Sequence, residues 1–404
     1  MQVEKIVRTS LCSGCGLCAG IVDDDKIVMK LTEGGFLRPS QQAALSEAEQ
    51  SEIEATCPGL SLSHPGTTKV AYDPDWGPVV SLRTGFSTDT ELRQLGSSGG
   101  ALSGLLLYLL DTGSVDFVVQ IGMDPKDPVR NKLYESRSRD ELLARAGSRY
   151  SPSAPLMTLR EILKRPGRFA FVGKPCDVAG LRSYLRLHPE TNDRIPFLIS
   201  FFCAGLPSEA GTNVLLDELH VKREALVNFR YRGDGWPGYA KAVTKDGNVR
   251  KMDYDTSWGT ILNRHLQFRC KICPDGTGEF ADIVCADGWY LTEDGEPDFS
   301  ENEGRSIILS RSETGETVVQ AAIESGFVKA DPLDAALLPS MQPYQKRRKQ
   351  LSLSRLGAMV VLLRPFPKYS GLHLWASASR GNVRATLRSF AGMFIRILRG
   401  RAAD

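Results

Sequence analysis

The sequence predicts an α/β chain with α+β elements: a small cysteine-rich domain, a larger mixed-sheet domain and a basic helical tail. Three observations predict it. Apolar strand-like runs alternate with amphipathic helical stretches between residues 80 and 330, the pattern of a sheet with parallel strands. Eight of the nine cysteines fall into two sets of four, one near the N-terminus and one spread through the larger domain. From Met341 on, thirteen Lys or Arg stand against one acidic residue, Asp404. The boundaries expected are residues 1–65, 66–165, 166–330 and 331–404.

Composition bounds the rest. The 404 residues suffice for two or three domains, and 42% hydrophobic with 24% charged residues is ordinary for a globular chain. A net charge of +2 makes no argument for specific nucleic-acid binding. No apolar run flanked by basic residues marks an export signal, and no run of about 18 apolar residues predicts a spanning helix. The expected location is cytoplasmic, with the basic tail as the route to a peripheral place at the inner membrane face. In a reducing compartment, clustered cysteines bind metal or do redox chemistry rather than form disulfides.

Residues 1–65 carry Cys12-Ser13-Gly14-Cys15-Gly16-Leu17-Cys18 and then Cys57-Pro58, 39 residues past Cys18. The C-x2-C-x2-C spacing with a remote Cys-Pro is that of a ferredoxin-like [4Fe–4S] site; the alternative is structural zinc on the same four thiolates. A β-hairpin (27–37) and a polar helix (45–55) fill the interval. Residues 66–80, with Pro and Gly at short intervals, read as a linker.

A strand (79–86) leads to Gly96-Ser97-Ser98-Gly99-Gly100 and the apolar helix 101–110. A Gly/Ser loop opening a helix presents free N–H groups to a phosphate or a flavin edge, or it is only a close-packed cap. After a strand (115–121), the polar loop Gly147-Ser148-Arg149-Tyr150 could converge on the same ligand.

The apolar runs 168–172 and 195–202 end in Gly173-Lys174-Pro175-Cys176 and Phe201-Phe202-Cys203, with helices 177–187 and 208–219 after them. Cysteines at the carboxyl ends of parallel strands stand where open α/β sheets place their sites. Strands near 226–231, 239–244 and 249–253 precede Cys270-Lys271-Ile272-Cys273-Pro274-Asp275, a thiolate pair on a turn that makes half a metal site. Whether Cys176 and Cys203 supply the other half is left to the structure; two buried, unrelated cysteines are the alternative. Cys285, the ninth, reads as a packed strand residue. In the tail, Leu387, Phe390, Met393, Phe394, Ile397 and Leu398 share one helical arc opposite Arg384, Arg388, Arg396 and Arg399. That pattern suits an anionic membrane, an acidic partner, or a helix docked on the chain itself.

In order, the motifs are the N-terminal cysteines, Arg-x-Gly-Phe with Asp-x-Glu-x-Arg (83–93), Gly-Ser-Ser-Gly-Gly and Gly-Ser-Arg-Tyr. Gly-Lys-Pro-Cys, Phe-Phe-Cys-Ala-Gly, Cys-x-x-Cys-Pro-Asp, Glu-x-Ala-Asp-Ile and Asp-Gly-Trp follow. Over residues 5–330 this order resembles the family of coenzyme F(420) hydrogenase and dehydrogenase beta subunits. That family includes 7-hydroxymethyl chlorophyll a reductase-like and divinyl reductase-like enzymes. The resemblance implies a ferredoxin-like iron–sulfur domain, a mixed-sheet flavin/iron–sulfur domain, two [4Fe–4S] clusters and FAD. Electrons would pass from a ferredoxin-like donor to a small-molecule acceptor. It implies that Cys12, Cys15, Cys18 and Cys57 hold the receiving cluster and Cys176, Cys203, Cys270 and Cys273 the one beside the flavin. Gly96, Ser97, Ser98, Gly99, Gly100, Ser148, Arg149 and Tyr150 would line the flavin site. Lys174, where the family often has Thr, is the expected catalytic and cofactor-binding residue, facing reduced flavin or an anionic substrate. A second reading is a non-catalytic iron–sulfur accessory subunit of a membrane-associated assembly, one building surface polysaccharide, for which the basic tail speaks.

Overall fold

Short runs of alternating side chains build the centre of the molecule, because successive strand residues face opposite sides of a sheet. The computed structural model describes residues 3–23, 25–66 and 70–400. Parts of two sequence expectations, residues 67–69 of the linker and Arg401 and Asp404 of the tail, lie outside them.

Eight strands form one mixed sheet: β1 Ser81–Ser87, β2 Phe117–Asp124, β3 Asp127–Ser136, β4 Phe169–Val172, β5 Phe197–Phe201, β6 Ile283–Asp287, β7 Ser306–Ser310 and β8 Val328–Pro332. Their order across the sheet is β8-β1-β7-β6-β5-β4-β2-β3. The inner strands β6, β5, β4 and β2 run parallel, and the flanks pair antiparallel. Phe117, Val119, Phe169, Phe171, Leu198 and Val284 face one side, against helix Pro175–Leu187 and the N-terminal domain. Val118, Ala170, Val172, Ile199, Ile283 and Cys285 face the other, under helices Ala101–Asp111 and Glu313–Glu324. Cys285 is thus a packed strand residue.

Several expectations shift in register. The N-terminal hairpin pairs Ile27–Leu31 with Leu37–Gln41, four residues beyond the expected end. Helix Pro175–Leu187 starts with Pro175 in its first turn, a position whose missing N–H costs nothing, so Cys176 lies inside the helix and not before it. β3 and β8 were not visible in the sequence: both are edge strands, β3 with Arg130, Asn131, Lys132 and Glu135 among its residues, and edges carry charge where inner strands carry apolar side chains. Of the expected linker, Ala71–Asp73 and Gly77–Val79 form a small hairpin, and Asp75 and Trp76 are buried.

The segment after residue 331 folds back over the cysteine sites. Helices Pro343–Gln350, Ser352–Val361 and Val383–Leu398 stack there, and the last packs Met393, Phe390, Phe394 and Ile397 against Leu356, Met359, Ile6 and Phe268. Leu387 and Leu398, expected on that same arc, stand 66% and 65% exposed. The apolar arc is wider than the surface that covers it. Among the described residues, no helix is long and apolar enough to cross a membrane.

Candidate functional site

The N-terminal cysteines are gathered by a loop that needs two glycines. Gly14 and Gly16 both have left-handed backbone (φ 75° and 83°), and a Cβ on Gly16 would meet Ala154 at 2.9 Å. Helix Leu17–Ile21 then carries Cys18, and helix Glu47–Thr56, closed at its start by a Ser46/Glu49 capping box, delivers Cys57 at its end. All four cysteines line one small apolar cavity with Ile6, Ser13, Ile53 and Pro58. The Gly14 N–H donates to Cys12 Sγ at 3.4 Å. Burial pushes the Cys15 thiol up to about 12 and Cys57 to about 11, and the neighbouring thiols push the same way. Burial thus favours the neutral thiols, and only a cation bound among them would turn the four into thiolates.

The second set is assembled from three distant segments. Cys176 follows β4 and Cys203 follows β5, adjacent parallel strands, so both stand at the same sheet edge. Helix Phe268–Lys271 brings Cys270, and Cys273 follows it. Cys176 has Cys203 and Cys273 as electrostatic neighbours, and Cys203 has Cys270 and Cys273. The structure therefore brings together the four residues that the sequence left apart. Leu206 N–H and Gln267 Nε2 donate to Cys270 Sγ, each at 3.3 Å. Burial, then the neighbouring Cys270, pushes Cys203 up to about 12. Among the described residues, no group of three or more His, Cys, Asp or Glu side chains is arranged to hold a single metal ion.

The supports of this set were missed from the sequence. Arg348, in the segment read as a tail, donates from Nη1 to the Cys203 carbonyl (2.6 Å), from Nε to that of Cys273 and from Nη2 to that of Cys270 (both 3.1 Å). Beside it, Lys349 Nζ meets Glu279 Oε1 at 2.6 Å, with both side chains buried, and the Tyr72 hydroxyl donates to Glu279 Oε2. Both basic residues come from helix Pro343–Gln350, where four consecutive Lys or Arg read as a solvated face; nothing local distinguishes Arg348 from Arg347.

Gln267 and Arg269 form a wall shared by the two sets, at 1% and 2% exposure. Gln267 Nε2 also reaches the Ser13 carbonyl at 3.4 Å, and its Oε1 accepts from Arg38 Nη2 at 2.9 Å. Arg269 Nη2 donates to the Pro58 carbonyl at 2.8 Å, beside Cys57. Its charge acts on Cys57 on one side and on Cys273, Cys176 and Cys270 on the other. Its Nε and Nη1 are buried without a hydrogen-bond partner among the described residues. A guanidinium so placed fits a negatively charged group between the thiols.

The two expected flavin loops do meet: Ser148 Oγ donates to Ser97 Oγ at 2.6 Å. Part of the Gly/Ser loop is committed to the sheet. Ser98 Oγ donates to the Arg305 carbonyl (2.9 Å), Gly99 N–H donates to Ser306 Oγ (3.0 Å), and a Cβ on Gly99 would lie 2.7 Å from the Gly85 carbonyl. Gly100 caps helix Ala101–Asp111 with φ 68°. Gly96 N–H closes the preceding helix on the Leu92 carbonyl at 3.0 Å. Every guanidinium nitrogen of Arg149 is engaged with the protein, through Asn131 Oδ1 and the carbonyls of Phe229, Pro128 and Arg130 at 2.7–2.9 Å. Tyr150 lies tilted against Trp258, with ring centres 4.7 Å apart. Lys174 is buried, with Nζ 2.7 Å from Asp177 Oδ2 and 3.0 Å from Ser153 Oγ. Burial opposes its charge, but Asp177, Cys176 and Cys203 outweigh burial and hold its pKa above the ordinary lysine value.

Comparison with known proteins bears on the family and the fold. The family models for the N-terminal and C-terminal parts of the coenzyme F420 hydrogenase/dehydrogenase beta subunit match residues 83–160 and 167–336. The coenzyme F420 hydrogenase subunit beta of Methanothermobacter thermautotrophicus is 25% identical over 289 residues, 68% of this chain and 93% of the relative. The protein of the same name from Methanosarcina barkeri is 23% identical over 286 residues, 69% of this chain and 90% of the relative. A chain in the solved structure of the F420-reducing [NiFe] hydrogenase complex from Methanosarcina barkeri shares the fold, with a TM-score of 0.57 at 19% identity, covering 74% of this chain and 98% of that one. With its mixed sheet and with both family segments in order, the chain belongs to the family of coenzyme F420 hydrogenase/dehydrogenase beta subunits.

Proposed function

We propose that this chain is an oxidoreductase subunit with two four-iron centres and FAD, moving electrons between a ferredoxin-like donor and a deazaflavin or another reducible small molecule. The observation that carries the reading is the gathering of Cys176, Cys203, Cys270 and Cys273 from three remote segments, back to back with Cys12, Cys15, Cys18 and Cys57 across Gln267 and Arg269. Bound there, iron–sulfur clusters would supply one-electron steps, and a flavin would exchange them for hydride-type chemistry. Zinc on the N-terminal set is the competing occupant, and metal content separates the two.

The chain's own residues hold and tune these centres. Arg348 fixes the backbone of three cysteines, and Leu206 N–H and Gln267 donate to a ligand sulfur, a contact that stabilises the reduced state. Arg269 sets a positive charge between the two sets. Lys174, locked to Asp177, keeps a buried cation beside Cys176. The Ser97–Ser148 junction marks the loops that would take the flavin. What the relatives' names say they reduce supports a deazaflavin acceptor, and with every guanidinium nitrogen engaged Arg149 would brace its loop rather than reach the flavin.

The test is anaerobic purification with iron, sulfide and flavin counted per chain. About eight iron and one FAD support the reading. Iron without flavin favours the accessory-subunit reading, to which the exposed Leu387 and Leu398 beside Arg384, Arg388 and Arg399 lend an observation: an apolar edge with a basic flank suits an anionic membrane surface. A colourless zinc protein overturns both.

A further inference from the structure

A cleft of about 260 Å³ opens between helices Pro343–Gln350 and Val383–Leu398, lined by Tyr344, Arg347, Arg348, Leu351, Arg355 and Arg388, with Ala385 and Ser389 at its edge. Four arginines face it and no acidic residue does. Arg348 is the floor, and its far side holds the carbonyls of Cys203, Cys270 and Cys273. Arg355 is anchored by the Lys271 carbonyl at 2.8 Å and Ser389 Oγ at 3.1 Å. The Arg355 partners are neutral and the neighbouring arginines add to its charge, whereas Arg348 is answered on its far side by Cys203, Cys270 and Cys273. Arg347 and Arg388 are exposed and have no ion-pair or hydrogen-bond partner among the described residues. Like charges converge at such cost only where an anion completes them.

We propose that this cleft docks an acidic one-electron carrier protein and delivers its electron to the second cysteine set directly, not through the N-terminal set. Each encounter oxidises the carrier by one electron and reduces the centre at the second set by one, with no bond made or broken. The proposal rests on the redox reading above and adds where the donor docks and where its electron arrives. Two observations favour a protein over a small ion. The cleft is open, and its rim carries Tyr344 at 52% exposure beside arginines, residue types enriched in protein-binding hot spots. The place also suits electron delivery, since a single buried side chain, Arg348, separates the cleft from the backbone of three cysteines. A basic cleft steers an acidic carrier and makes its arrival salt-dependent.

The test uses the full chain, purified anaerobically, with an oxidised acidic bacterial-type ferredoxin as probe. Binding is measured by calorimetry at low and high salt for the wild type, for the double variant Arg347→Glu/Arg388→Glu, and for Arg250→Glu on the exposed strand Val249–Asp253 as a remote control. The expected result is tenfold or more weaker binding in the double variant and none of that loss in the control. Reduction by reduced ferredoxin should slow in parallel, while dithionite bleaches all three alike. No binding to the wild type, or equal binding to all three, overturns the proposal. So does ferredoxin binding that persists while binding of inorganic phosphate or of phosphatidylglycerol vesicles is lost on charge reversal, which would assign the cleft to a small anion or to lipid. Binding needs no bound iron in this chain, so an iron-free preparation refutes the redox reading and leaves the docking comparison readable.

Discussion

The two cysteine sets are built by opposite means. The first is local: one glycine-bearing loop supplies three thiols, and a capped helix returns the fourth. The second is topological: two parallel strands end side by side, a distant turn crosses over them, and an arginine from beyond residue 340 fastens the result. The first set takes only its wall from remote segments, whereas the second takes the thiols themselves from every segment that closes it.

Breaking the second set through its fastener should give the largest effect. Arg348→Ala leaves three carbonyls without their donor, at about 1–3 kcal/mol each where they stay buried. The expected outcome is loss of about half of the iron, with the N-terminal share retained. Full iron in that variant would show that the second set does not need its tail. Cys203→Ser and Cys15→Ser sharpen the same contrast. Each should remove about half of the iron, and the double variant nearly all of it, by iron and sulfide analysis.

The shared wall predicts a smaller, coupled effect. Arg269→Gln removes a buried positive charge between the sets, which disfavours the reduced, more negative state of each. Both potentials should fall on the order of tens of millivolts in a spectroscopic titration; a shift in only one would mean that the wall serves one side. Smallest is Cys285→Ser. This thiol is packed on β6 away from both sets, so iron should be unchanged and unfolding should cost about 1–2 kcal/mol less in denaturant melts.

This contrast also governs what could be read from the sequence. The first set was legible because its spacing is a chain-local pattern. Cys176, Cys203, Cys270 and Cys273 were legible as candidates, since strand ends and a C-x-x-C turn are local too, but their meeting needed the order β6-β5-β4, which no single segment encodes. Arg348 and Lys349 were illegible: a run of basic residues on a short helix looks solvated, and only the closed fold buries two of them. Gln267 and Arg269 adjoin a visible cysteine, yet their second faces touch Ser13 and Pro58, more than 200 residues earlier in the chain. Edge strands β3 and β8 were lost because their composition answers to solvent.

The core around Cys12 joins Ile6 and Leu11 to Leu356, Met359 and Met393, and strand Ser61–Ser63 pairs in parallel with Lys368–Ser370. On a ribosome, then, the residues around Cys12 wait for residues 356–393 to be made. The N-terminal loop is translated with its thiols in order but without its wall, exposed to oxidation and to whatever metal is at hand. That wall closes only after residue 393 has left the exit tunnel, so on the redox reading assembly would be a matter of timing between synthesis and metal delivery as much as of affinity.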